Sequence, residues 1–237
     1  METIEQILKS TQRELIVSGI IRAKYAPYKM TNSLAAIELI ARGFEPNFKF
    51  TNEIRELYIK LIQWFHGDPD FPGDLNRGIL LMGPTGTGKT LAMNVMLKYR
   101  NIDDIVFGNN GKWHKLIYKI VDVNEIKKTF IEKGYEAIET YCRVPCLCID
   151  DLGYETISLR YGNLEDVIAY IIGQRYILKK LTLATTNLPL SELEKKYDDR
   201  TISRIYALFN FFEMIGPDFR KTNKYYFKNF KSQRYEK

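Results

Sequence analysis

The chain has 237 residues, 45% of them hydrophobic and 27% charged, with a formal charge of +6. That length supports one sizeable core plus an appendage. No run of about 18 apolar residues is present to cross a membrane, and the acidic, then amphipathic start Met1–Glu5 is unlike a secretory signal, so a cytoplasmic protein is expected.

Three helices are predicted in the first third of the chain. Thr3-Ile4-Glu5-Gln6 reads as a capping box, followed by Ile4, Ile7, Leu8 and Leu15 on one face before Gly19. Ser33 to Ala41 forms a shorter candidate, stopped by Gly43. Thr51 caps a third, in which Ile54, Leu57, Tyr58, Leu61, Ile62 and Phe65 keep a 3.6-residue period up to Gly67. Ile21 to Met30 and Gly43 to Phe50 read as loops. Residues 1–50 are therefore expected to form a small helical module, 51–218 the main domain and 219–237 a tail.

The stretch Gly83-Pro84-Thr85-Gly86-Thr87-Gly88-Lys89-Thr90 is entered by the apolar run Ile79–Met82 and left by Leu91-Ala92-Met93. A buried strand, a glycine-rich turn and a helix in that order are the setting a phosphate loop requires. The glycines let successive N–H groups point inward, and the helix start adds a positive dipole end. Gly83 through Leu91 are thus the expected contacts to a nucleoside triphosphate. Lys89 is placed against the β- and γ-phosphates, and the Thr90 hydroxyl on Mg²⁺.

Beyond this loop, Asn109-Asn110-Gly111 marks a turn. Leu116–Val121 reads as a strand and Asp122 starts a helix. Pro145–Ile149 is a buried strand, and Asn163 opens another helix. Leu181–Thr186 is a strand, Ser191 and Asp199 begin two short helices, and Phe211–Ile215 is the last strand. Strands alternating with helices give an α/β fold around a mainly parallel sheet, with ligands at the carboxyl ends of the strands. Cys142, Cys146 and Cys148 lack paired zinc spacing and read as core thiols of a reducing compartment.

Two carboxylates, Asp150 and Asp151, end the Cys146–Ile149 strand, as a Mg²⁺-nucleotide site requires of its second wall. Asp150 is assigned to the metal with Thr90, and Asp151 to polarising the attacking water. Asn187 ends the next strand, where a neutral amide reaches both the water and the terminal phosphate. Arg200 and Arg204 lie four apart on one helical face. They are read either as stabilisers of transition-state charge or as surface partners of Glu194, Asp198 and Asp199. Arg220 either touches the nucleotide or begins the basic tail.

In order, GPTGTGKT, CLCIDDLG, LATTNL and DDRTISRI resemble the motifs of AAA+ ATPases, most closely the DnaC-type helicase loaders and the IstB-type transposition ATPases. The resemblance spans roughly Asp70 to Lys221. It implies an AAA+ P-loop fold that hydrolyses ATP with Mg²⁺. Walker A falls at Gly83–Thr90, Walker B at Asp150 and Asp151, and sensor 1 at Asn187. An arginine finger acting across a subunit boundary falls first on Arg204, then on Arg200. It also implies an ATP-dependent homo-oligomer whose partner is the replicative helicase or, on the IstB-type alternative, a transposase. A nucleotide-gated binding module with negligible hydrolysis is a further alternative. Nothing N-terminal to the loop matches the family's zinc-bearing helicase-docking domain, whose cysteines are absent there, and little room is expected after Ile215 for a helical lid.

The tail from Phe219 to Lys237 holds seven of the 35 Lys+Arg and one of the 29 Asp+Glu, so the whole positive excess lies there. Aromatics interleave with the cations, the composition that neutralises phosphates and stacks on unpaired bases. Single-stranded DNA is the expected ligand; a solvated tail and docking onto an acidic partner are the alternatives.

Overall fold

The computed structural model describes residues 20–22, 25–100, 105–109, 112–154 and 165–221. The expected helix after Thr3, the helix start at Asn163 and most of the basic tail lie outside these residues. In chain order the elements are β1 (Ile20–Arg22), α1 (Met30–Phe44), α2 (Asn52–His66), β2 (Gly78–Met82) and α3 (Lys89–Tyr99). They continue with β3 (Val106–Asn109), β4 (Lys112–Lys115), β5 (Lys119–Asp122), α4 (Val123–Arg143), β6 (Cys146–Asp150) and α5 (Glu165–Ile177). The last four are β7 (Leu181–Thr186), α6 (Leu190–Lys196), α7 (Asp199–Leu208) and β8 (Phe209–Glu213).

Five strands form one parallel sheet in the order β5-β6-β7-β2-β8. Helices cover both faces. Ile79 and Leu81 of β2 pack with α1, α2 and α3, whereas Leu80 packs with α4, α5 and α7. This is the period-2 alternation of a strand buried on both sides. α1 shares the buried cluster of α2 and α3 through Leu34, Ile37 and Ala41.

Arg175 of α5 is fully buried. It donates to the carbonyls of Tyr141, Val144 and Leu181 and to the Thr182 hydroxyl, at 2.6 to 3.0 Å. Its guanidinium ties the end of α4 to the start of β7. Burial pulls its pKa down to about 10.

Several boundaries differ from the sequence reading. Residues 20–22, expected in or beside a loop, form β1 because they pair antiparallel with β3, a partner 85 or more residues away that no local signal announces. β3 and β4 flank the predicted turn as an antiparallel pair, Asn109 opposite Lys112, giving a second, three-stranded sheet. α1 begins three residues early and runs through Gly43, ending only where the Glu45 N–H meets the Ala41 carbonyl. The strand expected at Leu116–Val121 is β5, over Lys119–Asp122, since the Leu116 N–H is bound to Ile105. The last strand sits two residues earlier than read. α2 is as anticipated: the Thr51 hydroxyl accepts from the Ile54 N–H, and Gly67 closes the helix in the left-handed region. α4 carries a break at Gly134, where φ is 71°. No described helix is long and apolar enough to cross a membrane.

Candidate active site

The turn between β2 and α3 is shaped by backbone that side chains cannot follow. Gly83 has φ +143°, and a methyl there would meet the Met214 carbonyl oxygen at 2.3 Å. Gly86 (φ +83°) lies under the Asp218 carboxylate. The loop therefore needs glycine both for its curl and for the close approach of the chain leaving β8. That chain is bound to it: the Met214 N–H donates to Met82 at 2.7 Å, and the Phe219 N–H donates to Gly86 at 3.1 Å. The Thr87 hydroxyl closes the loop on the Pro84 carbonyl at 2.9 Å.

Lys89 enters from the first turn of α3. Its ammonium donates to the carbonyls of Gly83 (2.7 Å) and Pro84 (2.8 Å) and to the Asn187 side-chain oxygen (2.7 Å). Burial pulls the Lys89 pKa down; Asp151 and Asp150 push it back up, and Arg220 adds to the lowering. Three acceptors around one cation form a cradle for anionic oxygens that can replace them.

The second wall is built by β6 and β7. The Asp150 carboxylate accepts from the Thr90 hydroxyl at 2.9 and 3.0 Å and from the Thr185 hydroxyl at 2.6 Å. Asp151 follows in the left-handed region (φ 58°), its N–H held by the Thr185 hydroxyl at 3.0 Å. Its carboxylate accepts from the Asn187 amide at 2.8 Å. Asp151's pKa is raised, first by burial and then by the charges of Asp150 and Asp122, with Lys89 and the Asn187 amide opposing. One continuous chain of contacts thus joins Lys89, Asn187 and Asp151, and a second joins Thr90, Asp150, Thr185 and Asp151.

Lys89, Thr90, Asp150, Asp151 and Asn187 therefore come together at the carboxyl ends of β2, β6 and β7. Arg200 and Arg204 lie elsewhere, on α7. Thr201 holds the Asp198 carboxyl below its usual range through side-chain and backbone hydrogen bonds, with Arg200 and Arg204 adding to the effect. The Arg204 guanidinium also lies over Gly173 of α5. Arg220, by contrast, contributes to lowering the Lys89 pKa. Sequence reasoning missed Thr185, Met214 and Asp218. Thr185 was legible in principle, as a hydroxyl inside an apolar strand just before its carboxyl end.

Thr90 and Asp150 offer hard oxygen donors side by side at the loop mouth, the donor set that suits Mg²⁺. They fit the ion that the phosphate loop implies.

Solved structures share this architecture. DnaI is 24% identical, with a TM-score of 0.53, covering 76% of this chain and 92% of its own. The DnaC helicase loader is 22% identical, with a TM-score of 0.52 and coverages of 72% and 94%. The replication initiator DnaA bound to AMPPCP and single-stranded DNA is 18% identical, with a TM-score of 0.52, covering 78% of this chain and 54% of its own. No protein-family model matches the sequence, and no curated protein matches it significantly. The likeness to these structures shows a shared fold, a parallel sheet flanked by helices.

Proposed function

We propose that this chain is a cytoplasmic, Mg²⁺-dependent AAA+ ATPase of DNA replication that assembles with itself on ATP, engages single-stranded DNA and delivers the replicative helicase. The observation that carries the ATPase part is the meeting of Lys89, Thr90, Asp150, Asp151 and Asn187 at one end of the sheet. The loader part rests on the likeness to DnaI and the DnaC helicase loader.

In this reading the Gly83–Leu91 stretch receives the triphosphate. Lys89 exchanges its carbonyl partners for phosphate oxygens. Thr90 and Asp150 would hold Mg²⁺, which would neutralise charge on the phosphates when bound. Asp151, its pKa raised by burial and neighbouring charge, accepts a proton from water, and Asn187 orients that water. Arg204, whose guanidinium lies over Gly173, is assigned to the terminal phosphate of a neighbouring subunit. Arg220 lies near the loop and is assigned to the nucleotide side of the site. The basic tail supplies the single-strand contacts.

Affinity capture of the tagged protein from its own cells, with ATP present, tests the partner. Recovery of the replicative helicase by mass spectrometry is expected. Recovery of a transposase instead would move the job to target-DNA remodelling.

A further inference from the structure

β8 closes the parallel sheet on one side, and among the described residues no strand pairs its outer edge. Between that edge and α2 lies an open groove of about 480 Å³. Its apolar wall includes Leu57, Phe212 and Ile215, the last 62% exposed. Its charged lining is unbalanced: Glu53, Glu56 and Glu213 against a single Lys60. The Lys60 ammonium already stands 5.7 Å from the centre of the Phe212 ring, so the floor accepts a cation over an aromatic face. An acidic, partly apolar groove beside an open strand edge suits an extended segment that is both basic and aromatic.

The chain contains such a segment. Residues 222–237 carry five Lys/Arg against one Glu, together with Tyr225, Tyr226, Phe227, Phe230 and Tyr235. Connection favours it over any outside ligand. The described chain leaves β8 through Met214 and Ile215, which line the groove, and ends at Lys221, whose neighbours Asp218 and Phe219 are fastened to the phosphate loop. Sixteen further residues span up to about 50 Å when extended, ample to fold back to the groove. A tethered segment also acts at a high effective concentration, which makes a weak contact sufficient.

We infer that residues 222–237 dock in the groove between α2 and the outer edge of β8 of the same chain. Their cations meet Glu53, Glu56 and Glu213, and their aromatic side chains cover Leu57, Phe212 and Ile215. The contact extends the reading above, in which the tail binds a single strand: a tail seated in the groove is withheld from DNA. The groove contact stands or falls separately, because it is read without DNA.

Zero-length carbodiimide cross-linking of the full-length protein, as a mixture of isotopically light and heavy chains, tests it. Amide links from Lys224, Lys228 or Lys231 to Glu53, Glu56 or Glu213 within chains of one isotope are expected. Absence of such links overturns the proposal, and links that join light to heavy chains as often as like to like assign the groove to a second copy and overturn it equally. As a second readout, the double variant Glu56→Lys, Glu213→Lys should lose its tail to trypsin about fivefold faster than wild type, at an unchanged melting temperature. Equal release rates count against docking. Oligonucleotide binding is measured separately, and its failure would sink the DNA reading while leaving the cross-links to report on the groove.

Discussion

Replacing Thr185 by Val is the most direct test of how the second wall is held. The side chain is fully buried, so the substitution keeps the shape and removes one hydroxyl. That hydroxyl donates to Asp150 at 2.6 Å and accepts from the Asp151 N–H at 3.0 Å. Losing a hydrogen bond to a charged group costs about 1.5–3 kcal/mol, and a backbone N–H left without its acceptor costs about 1–3 kcal/mol. The extra methyl surface returns about 0.8 kcal/mol, and the half-exposed Asp151 recovers part of its loss from water. A net destabilisation of roughly 2–4 kcal/mol follows, or about 5–15 °C in melting temperature for a chain of this size. Turnover should also fall about 10- to 100-fold, the usual effect of removing a group that orients an ion-binding carboxylate. Thr185→Ser, which keeps the hydroxyl, should restore most of the turnover, and this separates positioning from packing. The assays are thermal unfolding and steady-state phosphate release. A Thr185→Val protein that melts and turns over like wild type would refute the reasoning.

Other substitutions probe the remaining parts. Asp151 has a folded pKa above its unfolded value, so its ionised form at neutral pH costs stability, a cost relieved as pH falls through the folded pKa. Asp151→Asn is therefore expected to raise the melting temperature at pH 7 while abolishing hydrolysis; a lower melting temperature would contradict the sign. By the same shift, wild-type turnover should fall on the acid side at a higher pH than an ordinary aspartate would give, as a pH–rate profile would show. Lys89→Ala should lose triphosphate binding, read by a fluorescent analogue. Arg204→Ala should keep nucleotide affinity but lose roughly 10³-fold in assembly-dependent turnover; undiminished turnover would remove Arg204 from the neighbour's site. Truncation after Lys221, which spares the Phe219–Gly86 contact, should weaken oligonucleotide binding and flatten its salt dependence by about 0.7 per lost phosphate contact.

Much of this architecture was legible because it is local. The glycine run between an apolar strand and a helix, the paired acids ending β6, and Thr51 and Gly67 bounding α2 each declare themselves within a few residues. What stayed hidden is non-local. β1 exists only through a partner more than 80 residues away, and the strap from Met214 to Phe219 matters only because β8 emerges beside Gly83. Thr185 read as one more strand residue, since nothing in the sequence shows that its hydroxyl reaches two consecutive aspartates. The site residues on β2, β6 and β7 are contiguous because parallel strands share one carboxyl end, so the fold itself assembled what the motifs listed separately.

The buried Arg175 has a consequence for how the sheet finds its alignment. Every residue of β6 and β7 is buried, so a one-residue slip between them would not move an apolar face into water. Hydrophobicity alone leaves such strands indifferent to sliding. A slipped β7 would carry the Leu181 carbonyl and Thr182 hydroxyl away from Arg175, leaving the buried guanidinium with only the Tyr141 and Val144 carbonyls. That cost, several kcal/mol, is large enough to empty the off-register states. Arg175→Met should then fold with normal helix content but a lower denaturant m value; an unchanged m value would show that the strands align without it. Arg175 thus acts as a misalignment penalty at the start of two strands whose apolar surfaces carry no register, as the Thr185 hydroxyl does at their carboxyl ends, and it keeps Asp150 level with Asn187, which follows β7.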